Sequence, residues 1–190
     1  MSRPIPVDIV PSHVYLSQND QLTLFGPGYA MTIEGQTTQS GQHYYEESVE
    51  VFGSLKRSLK LRVLGPPWEE SFVEVTPTEA AYLGVNAKEA RSGDLSAAVA
   101  CRFKGPAGEV MLKKGLIIMR PHMRCSPADA RSMHLANGDE VGIEILGTKS
   151  RRIENVIVRI HPTFKLQVDL HADHARDLWI TRPTHARLLT

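Results

Sequence analysis

The stretch "HMRCSPADA" (His122–Ala130) repeats the plan of "HVYLSQNDQ" (His13–Gln21), and that repetition decides the fold. In each, a histidine opens a short alternation of residues, a serine follows, and an aspartate stands three positions after the serine. A period of two puts His13 and Tyr15 on one face of a strand, and His122 and Arg124 on one face of another. Ser17 and Ser126 have the chemistry of helix N-caps. Asp20 and Asp129 fall at the third helical position and Pro127 at the first, where a missing N–H costs nothing. Each copy predicts a strand that ends at a short helix, with a histidine displayed beside the junction.

Outward from these two stretches the chain is built of short strands. "IPVDIV" reads as a strand leading into His13, and "QLTLFG" as a helix stopped by Gly26. "GQTTQSGQHYYEE" is polar and without period, and reads as a surface loop containing His43. "SVEVFG", "LKLRVLG" and "SFVEVT" alternate apolar and polar residues, as strands do. "TPTEAAYLG" repeats the cap chemistry, with Thr76 at the cap, Glu79 third and Gly84 as the stop. Further on come a hairpin around Gly105–Gly108, the strand that delivers His122, then "GDEVGIEIL", "ENVIVRI" and "FKLQVDLHAD", and a last helix in "DHARDLW". The expected fold is mainly β: two small antiparallel β-barrels capped by short α-helices, related by internal duplication. Residues 12–119 are assigned to the first barrel, and residues 1–11 with 120–190 to the second.

The 190 residues carry 22 Lys and Arg against 21 Asp and Glu, so no global field favours nucleic acid or a membrane surface. No apolar run is long enough to cross a bilayer. Two cysteines, no signal-peptide pattern, and a proline-interrupted, strand-like opening before His13 that leaves no room for a targeting helix point to a cytoplasmic protein.

His13, Glu74, His122, Asp169 and His171 all fall on or at the ends of predicted strands. Imidazole and carboxylate suit zinc, and strands of a barrel can gather distant ligands. The alternative is that the histidines are ordinary strand-end residues and Glu74 a solvated position in "VEV". Arg91, Arg102, Lys104, Lys113 and Lys114 form a basic region around the hairpin, able to hold a phosphorylated ligand or simply to keep strands soluble. Cys125 points away from His122 and Arg124 and reads as a small buried hydrophobe. His134, His161, His174 and His185 read as surface residues.

Taken together, "HVYLS", "FGPGY", "SGQHYYEE", "RVLGPPWEESFVEVTPTEA", "RSGDL", "GPAGEVMLKKGLIIMRPHMRCSPADA" and "NGDEV" resemble the zinc-dependent phosphate propanoyltransferases, the PduL-type phosphotransacylases, over nearly the whole chain. The resemblance implies two helix-capped β-barrels and a reaction in which a short acyl group moves between coenzyme A and inorganic phosphate through two zinc ions. It implies acyl-CoA and phosphate as partners and admits a homodimer. His13 and Glu74 match ligands of the first metal, which takes the coenzyme A sulfur, and His122 matches a ligand of the second. Tyr15 stands where the first motif has its second histidine, Arg124 where the second motif has its own, and Asp169 where a late-strand histidine belongs. Trp68 stands at the phosphate-gripping arginine. On this reading Asp169 or His171 completes what remains of the second site, and Arg124 contacts phosphate or another anion. Two functions follow: a phosphate acyltransferase, weakened or lost to the extent these positions matter, or a non-catalytic paralogue that binds coenzyme A or serves as an assembly partner.

Overall fold

The computed structural model describes residues 3–147 and 151–189. The chain forms two compact units, residues 12–119 and residues 1–11 with 120–190. Strand β1 (Ile5–Val10) opens the chain and belongs to the second of these.

The 12–119 unit begins with β2 (His13–Ser17) and α1 (Gln18–Phe25). It continues through β3 (Ile33–Gln36), β4 (His43–Phe52), β5 (Ser58–Trp68) and β6 (Phe72–Val75) to α2 (Pro77–Leu83). It ends with β7 (Glu89–Ala90), β8 (Val99–Lys104) and β9 (Glu109–Met119). These eight strands make one sheet, in which β8 pairs with both β4 and β9. Six of them therefore pair in a ring, β4-β5-β2-β6-β9-β8, with β3 and β7 added outside it.

The other unit runs β10 (His122–Cys125), α3 (Pro127–Ser132), β11 (Glu140–Ile145), β12 (Arg151–Ile160), β13 (Gln167–His171), α4 (Ala172–Asp177) and β14 (Thr184–Leu188). With β1 it closes a six-stranded barrel in the order β1-β13-β10-β12-β11-β14. The two rings have the same topology. Parallel β2·β5 answers parallel β10·β12, antiparallel β2·β6 answers antiparallel β10·β13, and parallel β6·β9 answers parallel β13·β1.

The sheets are mixed, which corrects the purely antiparallel reading. The cause lies in the repeated stretch itself. A helix capped at the last strand residue lifts the chain off the sheet before it can turn back as a hairpin. The next neighbour of β2 or β10 then arrives after a long crossover and lies parallel. The stretch read as a surface loop is also ordered: Gln36 pairs with His43, and His43 through Tyr45 open the long strand β4. The C-terminal strand β14 has too short an alternation to be visible beforehand.

The helix starts follow their sequence chemistry. Ser17 accepts from the Asp20 N–H, and Ser126 with Asp129 forms a reciprocal capping box. Thr76 accepts from the Glu79 N–H at 3.2 Å while Glu79 accepts from the Thr76 N–H at 2.8 Å. On each central strand, alternate residues enter the core: Val14, Leu16, Val73 and Val75 in one unit, Met123, Cys125, Val168 and Leu170 in the other. The intervening residues, His13, Tyr15, Phe72 and Glu74, or His122, Arg124, Gln167 and Asp169, share the opposite face and are buried as well. Removing the reciprocal cap with Thr76→Ala is expected to cost about 1 kcal/mol, read as a lower urea midpoint at unchanged slope. No loss would mean that the box is redundant with the packing of α2.

Candidate functional site

In the 12–119 unit His13 and Glu74 lie directly opposite each other on antiparallel β2 and β6. His13 Nε2 and Glu74 Oε2 are 3.5 Å apart, with only 4% and 2% of the side chains exposed. Glu74 Oε1 is buried and has no hydrogen-bond partner among the described residues. Beside this pair the face is aromatic. Tyr15 meets the His13 ring edge-on at 5.0 Å between centroids and packs on Trp68 at 4.9 Å and Phe72 at 4.8 Å. The Tyr15 hydroxyl accepts from Gln42 Nε2. Gly93 lies against the Trp68 ring, where an added Cβ would come within 2.6 Å of a ring carbon.

The equivalent face of the other unit is ionic. His122 faces Asp169 across antiparallel β10 and β13, at the ring positions of His13 and Glu74. His122 Nε2 stands 3.1 Å from Asp169 Oδ2. Arg124 pairs with the same carboxylate: Nη2 donates to Oδ1 at 3.0 Å, and Nε stands 2.5 Å from Oδ2 as an ion-pair contact outside hydrogen-bond geometry. Gln167 Nε2 donates to Oδ1 at 2.8 Å and to Asp8 Oδ2 at 3.1 Å. His122 Nδ1 faces the Arg120 carbonyl at 3.0 Å, and since a carbonyl only accepts, that nitrogen donates. Burial alone pushes the Asp169 carboxyl up. The His122 hydrogen bond and charge, with Arg124, outweigh it and hold the group down at about 2.

The structure thus brings His122, Arg124 and Asp169 together in one unit and His13 with Glu74 in the other. His171, read as an alternative ligand, stands at the end of β13 as the cap of the next helix. It caps α4, with Nδ1 accepting the His174 N–H at 3.3 Å, at the position Thr76 holds before α2. Burial, then the neighbouring His174, pushes His171 down to about 4. His174, expected at the surface, is half-buried against it, the two rings 3.9 Å apart.

The family model of the phosphate propanoyltransferases matches residues 6–180. The chain belongs to that family. A phosphate propanoyltransferase of Escherichia fergusonii is 33% identical over 188 residues, covering 98% of this chain and 89% of its own. One from Citrobacter rodentium is 35% identical over 174 residues, covering 91% and 82%. One from Clostridioides difficile is 30% identical over 185 residues, covering 97% and 88%.

Zinc, which resemblance to the phosphate propanoyltransferases implies, does not fit the residues present. No group of three or more His, Cys, Asp and Glu able to hold a metal ion occurs among the described residues. In the 12–119 unit His13 and Glu74 are two donors, fewer than the three protein ligands of a catalytic zinc, and the neighbouring ring is a phenol. In the other unit both Asp169 oxygens are already engaged, and the guanidinium of Arg124 brings a fixed positive charge against the carboxylate. That arrangement can neutralise a buried carboxylate and orient His122. It presents no open coordination position.

The hairpin cations divide. Arg102 pairs with Glu109 at 2.6 Å and lies over the Phe52 ring at 4.1 Å, and Lys104 also reaches Glu109. Lys113 and Lys114 border a cavity of about 680 Å³ that also holds Asp20, Glu69 and Glu70, so its charge is mixed. Arg91 is exposed beside Asp94. Gln167 and Gln42 were missed. Period-two spacing from Asp169 was a usable signal for the first, and nothing local pointed to the second. Cys125 is buried as expected, its thiol pushed up by burial and then by Asp129.

The depressed Asp169 carboxyl sets a pH test. An ordinary Asp titrates near 3.9, so the stabilisation from this group is fully present above about pH 4 and is lost as the pH falls toward 2. Asp169→Asn leaves Arg124 buried without its counter-charge and is expected to cost about 3–5 kcal/mol at neutral pH. Urea unfolding of both proteins across the range should show the gap narrowing below about pH 4. A gap that stays constant would mean that charge at Asp169 is not what holds this face.

Proposed function

We propose that this chain is a phosphotransacylase-family protein that keeps recognition of the family's substrates, an acyl-coenzyme A and inorganic phosphate, and has given up zinc-assisted transfer of the acyl group. The observation that carries the reading is the Arg124–Asp169 pair, buried where the resemblance puts ligands of the second metal. Substrate recognition is supported by family membership along nearly the entire chain. In the family's reaction a metal receives the departing coenzyme A thiolate. A guanidinium screens such a charge but forms no bond to sulfur. Losing a single group that stabilises charge in a transition state costs about 10²–10³ in rate, and here several positions differ together.

The test is elemental analysis of the purified protein, acyl-phosphate formation from acyl-CoA and phosphate with and without chelator, and calorimetric titration with coenzyme A. Zinc well below one ion per chain, coenzyme A binding and no chelator-sensitive turnover are expected. Tyr15→His combined with Arg124→His should raise zinc content. Stoichiometric zinc with chelator-sensitive acyl-phosphate formation by the unaltered chain would overturn the loss of transfer. Failure to bind coenzyme A would overturn the retained specificity.

A further inference from the structure

The helices α2, α3 and α4 end in the same turn. In each, an N–H reaches back five residues, from Val85 to Ala80, Leu135 to Ala130 and Ile180 to Ala175, and the residue before it takes a left-handed backbone. After α2 that residue is Gly84, with φ +76°, as the geometry favours. After α4, the topological counterpart of α2, it is Trp179, with φ 56°. A bulky side chain in this region is strained, and Trp179 gains no burial in return, since 76% of it is exposed.

What surrounds Trp179 has a definite chemistry. It borders a cavity of about 1030 Å³ at the edge of the barrel, between the end of β11, the start of β12 and the segment leading into β14. Arg151, Arg182 and His185 line it, along with Pro4, Ile145 and Ile180, and among the described residues no Asp or Glu does. Neither arginine has an ion-pair partner among the described residues, a condition they share with Arg57, Arg131 and Arg152. Two arginines beside a flat aromatic face match a ligand that couples a phosphate group to an aromatic ring. Arg151 opens β12, six residues before Ile157, the residue that pairs with His122.

We propose that the Trp179–Arg151–Arg182 groove binds an adenine nucleotide, the base stacking on Trp179 and the phosphates meeting the two guanidinium groups. The nucleotide is a free one, distinct from the coenzyme A of the reading above. The site is separate from the substrate reading above, and its test uses no acyl transfer.

The experiment is calorimetric titration of the full chain with ADP, coenzyme A, adenosine and pyrophosphate. ADP should bind more tightly than adenosine or pyrophosphate. Trp179→Gly relieves the left-handed strain and should fold with an undiminished melting temperature while binding ADP about tenfold more weakly or worse. Arg151→Gln with Arg182→Gln should also weaken ADP about tenfold or more. ADP binding unaffected by coenzyme A is expected, and coenzyme A that displaces ADP, with the displacement reduced by Trp179→Gly, would place the family's substrate in the groove and overturn the proposal. The proposal is overturned if ADP does not bind, if Trp179→Gly or the arginine pair leaves its affinity unchanged, or if pyrophosphate binds as tightly as ADP.

Discussion

A carboxylate taken out of water must be met by positive charge or by enough donors to replace its hydration, and each unit buries one on its central strands. Everything on the candidate face is arranged around how that requirement is met. Asp169 meets it fully, with Arg124, His122 and Gln167 converging on its two oxygens. Glu74 meets it sparingly, with His13 at 3.5 Å and one oxygen left bare. The same backbone ring thus supports one closed ionic knot and one under-satisfied pair set in an aromatic wall.

The four departures from the family pattern are matched two by two. Tyr15 and Trp68, where the resemblance puts a histidine and an arginine, pack on each other at a tilt. Arg124 and Asp169, where it puts two histidines, bind each other. Residues in contact do not contribute independently, so either member of such a pair alone would leave a buried charge or a gap. The face is a set of mutual partners, in which each side chain depends on the one it touches.

The local features were legible because their causes are local. Ser17, Thr76 and Ser126 cap helices through hydrogen bonds that span three residues, and the period-two alternation sorts core from candidate face on β2, β6, β10 and β13. What could not be read depended on distance along the chain. The direct pairing of His13 with Glu74 and of His122 with Asp169 is a matter of register between remote strands. Family resemblance suggested the grouping, and the residues alone did not. The capping role of His171 was not visible because imidazole is an unusual cap, and the Arg124–Asp169 pair was not visible because its two members lie 45 residues apart on different strands.

The closure of the barrel around β1 has a bearing on how the molecule comes into being. Val7 lies beside Val168 and Ile5 beside Ala186, so β1 leaves the ribosome before the 12–119 unit and finds its neighbours only after that whole unit has been made. The 12–119 unit, whose pairings all lie within itself, can condense in the meantime, which leaves β1 as a waiting strand with both edges unpaired. Its short length and the charge of Asp8 in its middle are the protections such a strand requires against pairing with another nascent chain. Assembly of this barrel is therefore the slow, high-contact-order step, and the chain's exposure to misassembly is concentrated in its first strand.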